Sequence, residues 1–182
     1  MDLVQDKIAI ITGGASGIGR AACRAMAREG ATVAVLDVNG DGAAATAAEV
    51  GGRAFPADVT DANAMEQAIG DASSWMGGLH ALFNNAGASN MAKIHEWDVP
   101  EWERIVGLNL SGVFHGLRVG LPRIVESGGG AGAQAAPAST NEATVTTVAN
   151  HRRGLPIDPS QALPRERKIG GPGPNLEAGH AR

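Results

Sequence analysis

Tyrosine is missing from the chain altogether, and Phe and Trp number three each in 182 residues. A phenol therefore serves nowhere in it as acid, base or ligand. One cysteine, Cys23, excludes an internal disulfide and fits a reducing compartment, so the expected location is the cytoplasm. Basic charge is in short supply: 15 Lys and Arg stand against 19 Asp and Glu, a net charge of −4. That balance argues against nucleic acid or an anionic membrane as partner. No apolar run approaches the roughly 18 residues that cross a bilayer, and residues 1–7 lack the basic and apolar regions of a signal peptide. No His, Cys, Asp or Glu spacing suggests a metal site. Glycine, by contrast, is plentiful at 26 residues, four of them within "ITGGASGIGR" at 11–20.

Up to about residue 130, short apolar runs alternate with Ala-rich, helix-compatible stretches. Residues 7–12 read as a buried strand because Ile8, Ala9, Ile10 and Ile11 run without polar interruption. A helix over 18–29 follows, stopped by Gly30, then a strand at 32–36 and a helix at 41–50. A short strand at 53–55, a helix at 61–75 and a strand at 79–83 continue the alternation. "DVPE" opens the next helix, with Asp98 as cap and Glu101 three residues on, and the helix extends toward Leu121. Repeated strand–helix units with right-handed crossovers predict a doubly wound parallel α/β sheet ordered 3-2-1-4. The fourth strand is then an exposed edge unless a fifth, for which "ATVTTVAN" (143–150) is the candidate, lies beside it.

After "ESGGG" (126–130) the pattern stops. Residues 131–182 hold six of the nine prolines and no Phe, Trp or Met, and basic residues outnumber acidic ones six to four. Isolated apolar residues bury too little surface to offset the entropy of ordering, so 1–130 is expected to form the domain and 131–182 a largely disordered tail. Ala, Gly, Pro and Arg without periodicity are also what an out-of-register GC-rich frame, or a truncated and spliced-over gene, yields.

Glycines between a strand and a helix have either of two purposes: a plain tight turn, or close approach of a ligand to the backbone. For the ligand, Gly13 lets the strand exit sharply, Gly17 admits a pyrophosphate and Gly19 lets the helix pack on the strand. Free N–H groups at the helix start favour phosphate, and Ser16 adds a hydroxyl donor. Asp37 closes the second strand eighteen residues beyond Gly19, where an acid accepts hydrogen bonds from an adenosine ribose. It would repel a 2′-phosphate by roughly 4 kcal/mol at about 4 Å and an effective dielectric near 20. NAD rather than NADP follows as the expected cofactor.

These residues resemble the short-chain dehydrogenase/reductase family over 5–130, about half of a typical member. Thr12–Gly19 looks like its cofactor turn, Ile18 included, "ADVT" (57–60) its third-strand motif and "NNAG" (84–87) its fourth-strand motif. "WERIVGLNLSGVFHG" (102–116) looks like its fourth helix. The resemblance implies a Rossmann-type fold and adenine contacts from Asp58 and Val59. It further implies that Asn85, Ala86 and Gly87 line the cofactor cleft and that Asn109 kinks the helix and holds a relay water. It implies hydride transfer between nicotinamide and a small alcohol or carbonyl substrate, and a homo-oligomer interface on the helix over 99–121.

The family's proton transfer uses a tyrosine with a lysine four residues on, plus an upstream serine. Here there is no tyrosine, Lys168 is the only lysine after Asn109, and Ser139 stands roughly at the serine's place in "APAST". His115 and His80 read as structural, and Cys23 as a small core residue, although its place on the first helix would favour a thiolate. Three readings result: a catalytically impaired NAD-dependent oxidoreductase, a non-catalytic NAD-binding module, or a frameshifted or truncated remnant.

Overall fold

The computed structural model describes residues 4–134 and 144–148, with side-chain surroundings up to Gly129. Five strands run parallel: β1 (Ile8–Thr12), β2 (Thr32–Asp37), β3 (Arg53–Pro56), β4 (Ala81–Asn84) and β5 (Gly130–Gln134). The sixth, β6 (Thr144–Val148), is antiparallel to β5, giving the order β3-β2-β1-β4-β5-β6. Helices α1 (Gly17–Arg28) and α2 (Gly40–Val50) follow β1 and β2, and α3 (Ala62–Met76) follows β3. α4 (Val99–Val106) continues through a π-helical turn, Gly107–Ser111, into α5 (Gly112–Glu126).

The uninterrupted apolar strands are covered on both faces. Ala9, Ile11, Val33 and Val35 face one way with Cys23, Ala43 and Ala47 from α1 and α2. Ile10, Ala34 and Leu36 face the other way with Met65, Ile69, Val119 and Ile124 from α3 and α5. The two-residue alternation of a strand thus supplies two cores, and the alternating βα order supplies the helices for both. Side-chain caps start the helices where the sequence provides them. Asp61 accepts N–H bonds from Asn63 and Ala64 ahead of α3, and Asp98 accepts one from Glu101 at 2.8 Å ahead of α4.

The order 3-2-1-4 agrees with the sequence reading, and the edge is settled differently. The place beside β4 goes to β5, not to residues 143–150, whose β6 lies one position further out. Two strands therefore lie from residue 130 on, where composition predicts little order. Ladder hydrogen bonds need no bulky side chain, so the "GAGAQ" of β5 joins the sheet without any apolar signature. The remainder of the stretch from 131 on, expected to be largely disordered, falls outside the described residues.

Candidate functional site

β1 ends in a turn that bends twice through left-handed glycines, Gly13 at φ +68° and Gly17 at φ +52°. Ser16 is the N-cap of α1 but makes no side-chain cap bond, so the leading N–H groups of a twelve-residue helix have no capping side chain. With the dipole's positive end they favour an anion in front of them. A Cβ on Gly17 would meet no protein atom within 4 Å, so the space in front of this terminus is open. A Cβ on Gly19 would instead strike the Gly13 carbonyl oxygen and lie 2.6 Å from Asn85 Nδ2. α1 is thus seated directly on the turn.

Two residues hold the turn against its neighbours. Buried Thr12 accepts the N–H groups of Asn85 and Ala86 on its hydroxyl, both at 3.0 Å. Asn85 Nδ2 donates in return to the carbonyls of Thr12 and Gly13, at 3.0 and 3.3 Å. Half-buried Asp37 receives the Ala15 N–H at 3.0 Å on Oδ2 and the Asn39 N–H at 2.9 Å on Oδ1. The acid expected at the second strand's tip therefore also fixes the glycine turn. Exposed Asp58 commits Oδ1 to the Thr60 N–H and hydroxyl, each at 2.8 Å.

These residues converge on a cleft of about 570 Å³ at the C-terminal ends of the strands. Gly13, Ser16, Gly17, Ile18, Asp37, Asp58, Val59, Asn85, Ala86 and Gly87 all line it; Gly19 lies behind the turn and does not. Val38, Ala57 and Leu108 line it too; Ala57 and Leu108 lie inside the quoted 57–60 and 102–116 motifs, and Val38 lies in none. Ile18 and Val38, 69% and 74% exposed, give the cleft an apolar rim. A larger hollow of about 740 Å³ beside β3 and α3, walled by Arg53, Phe55 and Trp75, is lined by neither the glycine turn nor Asp37. The smaller cleft is the better-built site.

Asn109 sits in the π-helical turn and outside the cleft wall. Its Nδ2 donates to the Ala88 carbonyl at 2.7 Å and its Oδ1 accepts the Ala88 N–H at 2.9 Å. Both amide atoms clamp the loop that follows Gly87, so the side chain anchors the cleft's floor rather than reaching into it. Cys23 is fully buried, and burial pushes its thiol up to about 11, which overrides any helix-start preference for the thiolate. His80 receives the Ile8 N–H on Nδ1 at 3.3 Å, and burial followed by the nearby Lys7 charge lowers its pKa, consistent with a structural ring. Ser139 and Lys168 lie outside the described residues, among which no His, Cys, Asp and Glu group could hold a metal. Among the same residues no helix is long and apolar enough to cross a membrane.

The short chain dehydrogenase family model matches residues 7–136. D-threitol dehydrogenase of Mycolicibacterium smegmatis is 38% identical over 133 residues, covering 70% of this chain and 51% of that protein. The 3-alpha-(or 20-beta)-hydroxysteroid dehydrogenase of Mycobacterium bovis is 40% identical over 126 residues, 68% of this chain and 48% of that one. The crystal structure of a 3-ketoacyl-(acyl-carrier-protein) reductase from Brucella melitensis complexed with NADH superposes with a TM-score of 0.67 at 32% identity. It is covered over 52% of its length by 69% of this chain. The chain spans about half the length of the curated relatives it matches. Fold, cleft and sequence agree on one assignment: the chain belongs to the short-chain dehydrogenase family.

Proposed function

We propose that the chain binds NAD(H) in the 570 Å³ cleft and is the cofactor-holding part of an oxidoreductase acting on a small alcohol or carbonyl compound. The supporting observation is the meeting, in one cleft, of an uncapped helix N-terminus, an open left-handed glycine and a carboxylate at the next strand's tip. The α1 N–H groups and Ser16 would hold the diphosphate. Asp37 would accept from the ribose hydroxyls, with Asp58 and Val59 beside the adenine, and its charge disfavours a 2′-phosphate. Asn85, Ala86 and Gly87 would border the nicotinamide end, with Asn109 keeping that loop in place through Ala88. The bound dinucleotide supplies the hydride acceptor or donor.

Proton transfer is the step for which this chain carries no tyrosine. Binding without appreciable turnover is therefore the expected behaviour, which brings the non-catalytic module close to the impaired enzyme. Titration calorimetry with NAD⁺, NADH and NADP⁺ tests the reading. Heat from the first two and at least tenfold weaker binding of the third are expected, with Asp37→Asn narrowing the gap. Absence of heat from NADH with folded protein refutes it.

A second copy of the chain is the protein partner we infer. Val99, Trp102, Leu110 and Phe114 expose apolar surface along α4, the π-helical turn and α5. Light scattering should show self-association that Phe114→Glu weakens.

A further inference from the structure

The wall at the adenine end of the cleft is a short irregular segment, Ala57 to Thr60, with no strand ladder to hold it. Val59 is buried and lines the cleft, but its carbonyl receives no backbone N–H among the described residues. One side chain reaches it. His115 of α5, 56 residues along the chain, places Nδ1 2.9 Å from the Val59 oxygen. A carbonyl only accepts, so Nδ1 carries the proton and donates. α5 comes this close because its first residue is Gly112, whose Cβ, if present, would lie 2.8 Å from Val59 Cγ2.

From this geometry we infer that His115 is a positioning residue for the adenosine half of the cofactor: it fixes the Val59 wall by donating from Nδ1. The inference rests on the dinucleotide reading of the cleft and adds a residue remote from both the glycine turn and Asp37. The same helix continues from the turn that carries Asn109, so one rigid element braces both ends of the cleft. Without the donor, the Val59 carbonyl is left partly buried and unpaired, and the wall relaxes toward water.

The test uses the full chain, with His115→Leu removing the donor and His115→Asn restoring a side-chain N–H near the Nδ1 position. Calorimetry compares ADP-ribose with nicotinamide mononucleotide, alongside thermal unfolding. His115→Leu should weaken ADP-ribose by about tenfold and leave the mononucleotide within twofold. His115→Asn should recover most of the ADP-ribose loss. A merely structural histidine would lower the unfolding temperature without separating the two halves, or weaken both equally. Either result overturns the inference, as does unchanged ADP-ribose affinity in His115→Leu. Failure of the cofactor reading looks different, because the unmutated chain would then bind neither NADH nor ADP-ribose.

Discussion

Replacing Thr12 by Val removes one hydroxyl and keeps the side chain's shape. That hydroxyl accepts the N–H groups of both Asn85 and Ala86 at 3.0 Å, in a residue only 1% exposed. Stranding each half-buried donor costs about 1–2 kcal/mol, at the low end of the range because water reaches the segment in part. The pair amounts to about 2–4 kcal/mol, a large share of the roughly 5–15 kcal/mol that stabilises an ordinary domain. Thr12→Ser is the control: it retains the acceptor and loses one methyl group, about 1 kcal/mol. Urea denaturation followed by tryptophan fluorescence should place Thr12→Val well below Thr12→Ser in midpoint, with unchanged slope. NADH binding should weaken in the same order, because the two amides lead into the cleft wall at Ala86 and Gly87. Equal stabilities for the two variants, within about 0.5 kcal/mol, would show that the hydroxyl does not hold β4 to the turn.

Other perturbations probe independent parts of the structure. Gly19→Ala drives a methyl into the Gly13 carbonyl and should cost about 1–3 kcal/mol, checked by the urea midpoint, with NADH affinity lost beyond what stability explains. Cys23, buried with its thiol pushed up to about 11, should resist a disulfide reagent at pH 8 until urea unfolds the chain; stoichiometric labelling of native protein contradicts this. Glu49 bridges Arg20 and Arg24, whose hydrogen bonds hold its carboxyl at about 2, below the ordinary 4.5. Its contribution is present above about pH 4.5 and is lost as pH falls toward 2. Wild type and Glu49→Gln should therefore differ in urea midpoint at pH 6 and converge near pH 2, and salt should shrink the difference because the group is exposed.

The parts of the fold legible in the sequence are those where one physical signal acts alone. Four adjacent apolar residues at Ile8–Ile11 require cover on both faces, and the structure places helices there. Gly30, the stop read for the first helix, follows its C-cap Glu29 at φ +87°, a left-handed geometry where a side chain would be strained. Competition hides the rest. Asp98 caps α4 as its motif suggests, but Glu101 commits its carboxylate to Arg104 and Asn90 instead of reaching back. The π-helical turn adds a residue to a helix without changing its composition, so the sequence reads 99–121 as one helix. In the cleft, motif spacing identifies the glycine turn and Asp37. Val38 lies in no motif and joins the site only through tertiary proximity. Asn84 likewise reads as one letter of "NNAG", yet its buried amide has no hydrogen-bond partner among the described residues and lies against Gly116.

The sheet's two sides differ in what stabilises them, and this bears on which part of the site is firm. β1 and β2 pair over five residues and bury Ile10, Ile11, Val33, Val35 and Leu36 between helices. β5 pairs with β4 over four residues, and its sequence is Gly-Ala-Gly-Ala-Gln, which offers almost no apolar area and two residues of high backbone entropy. Its ladder is held by hydrogen bonds worth about 1 kcal/mol each. Opening of that side of the sheet should therefore cost much less than global unfolding, whereas β1 and β2 should open only with the whole domain. Native-state amide exchange resolves the two. Amides of Ala9–Ile11 and Val33–Leu36 should exchange at the global rate, and those of β5 at least a hundredfold faster. If β5 proves as protected as β1, its neighbours rather than its own composition govern that side of the sheet. The glycine turn and Asp37 belong to the firm side, so cofactor affinity should survive conditions that already open β5.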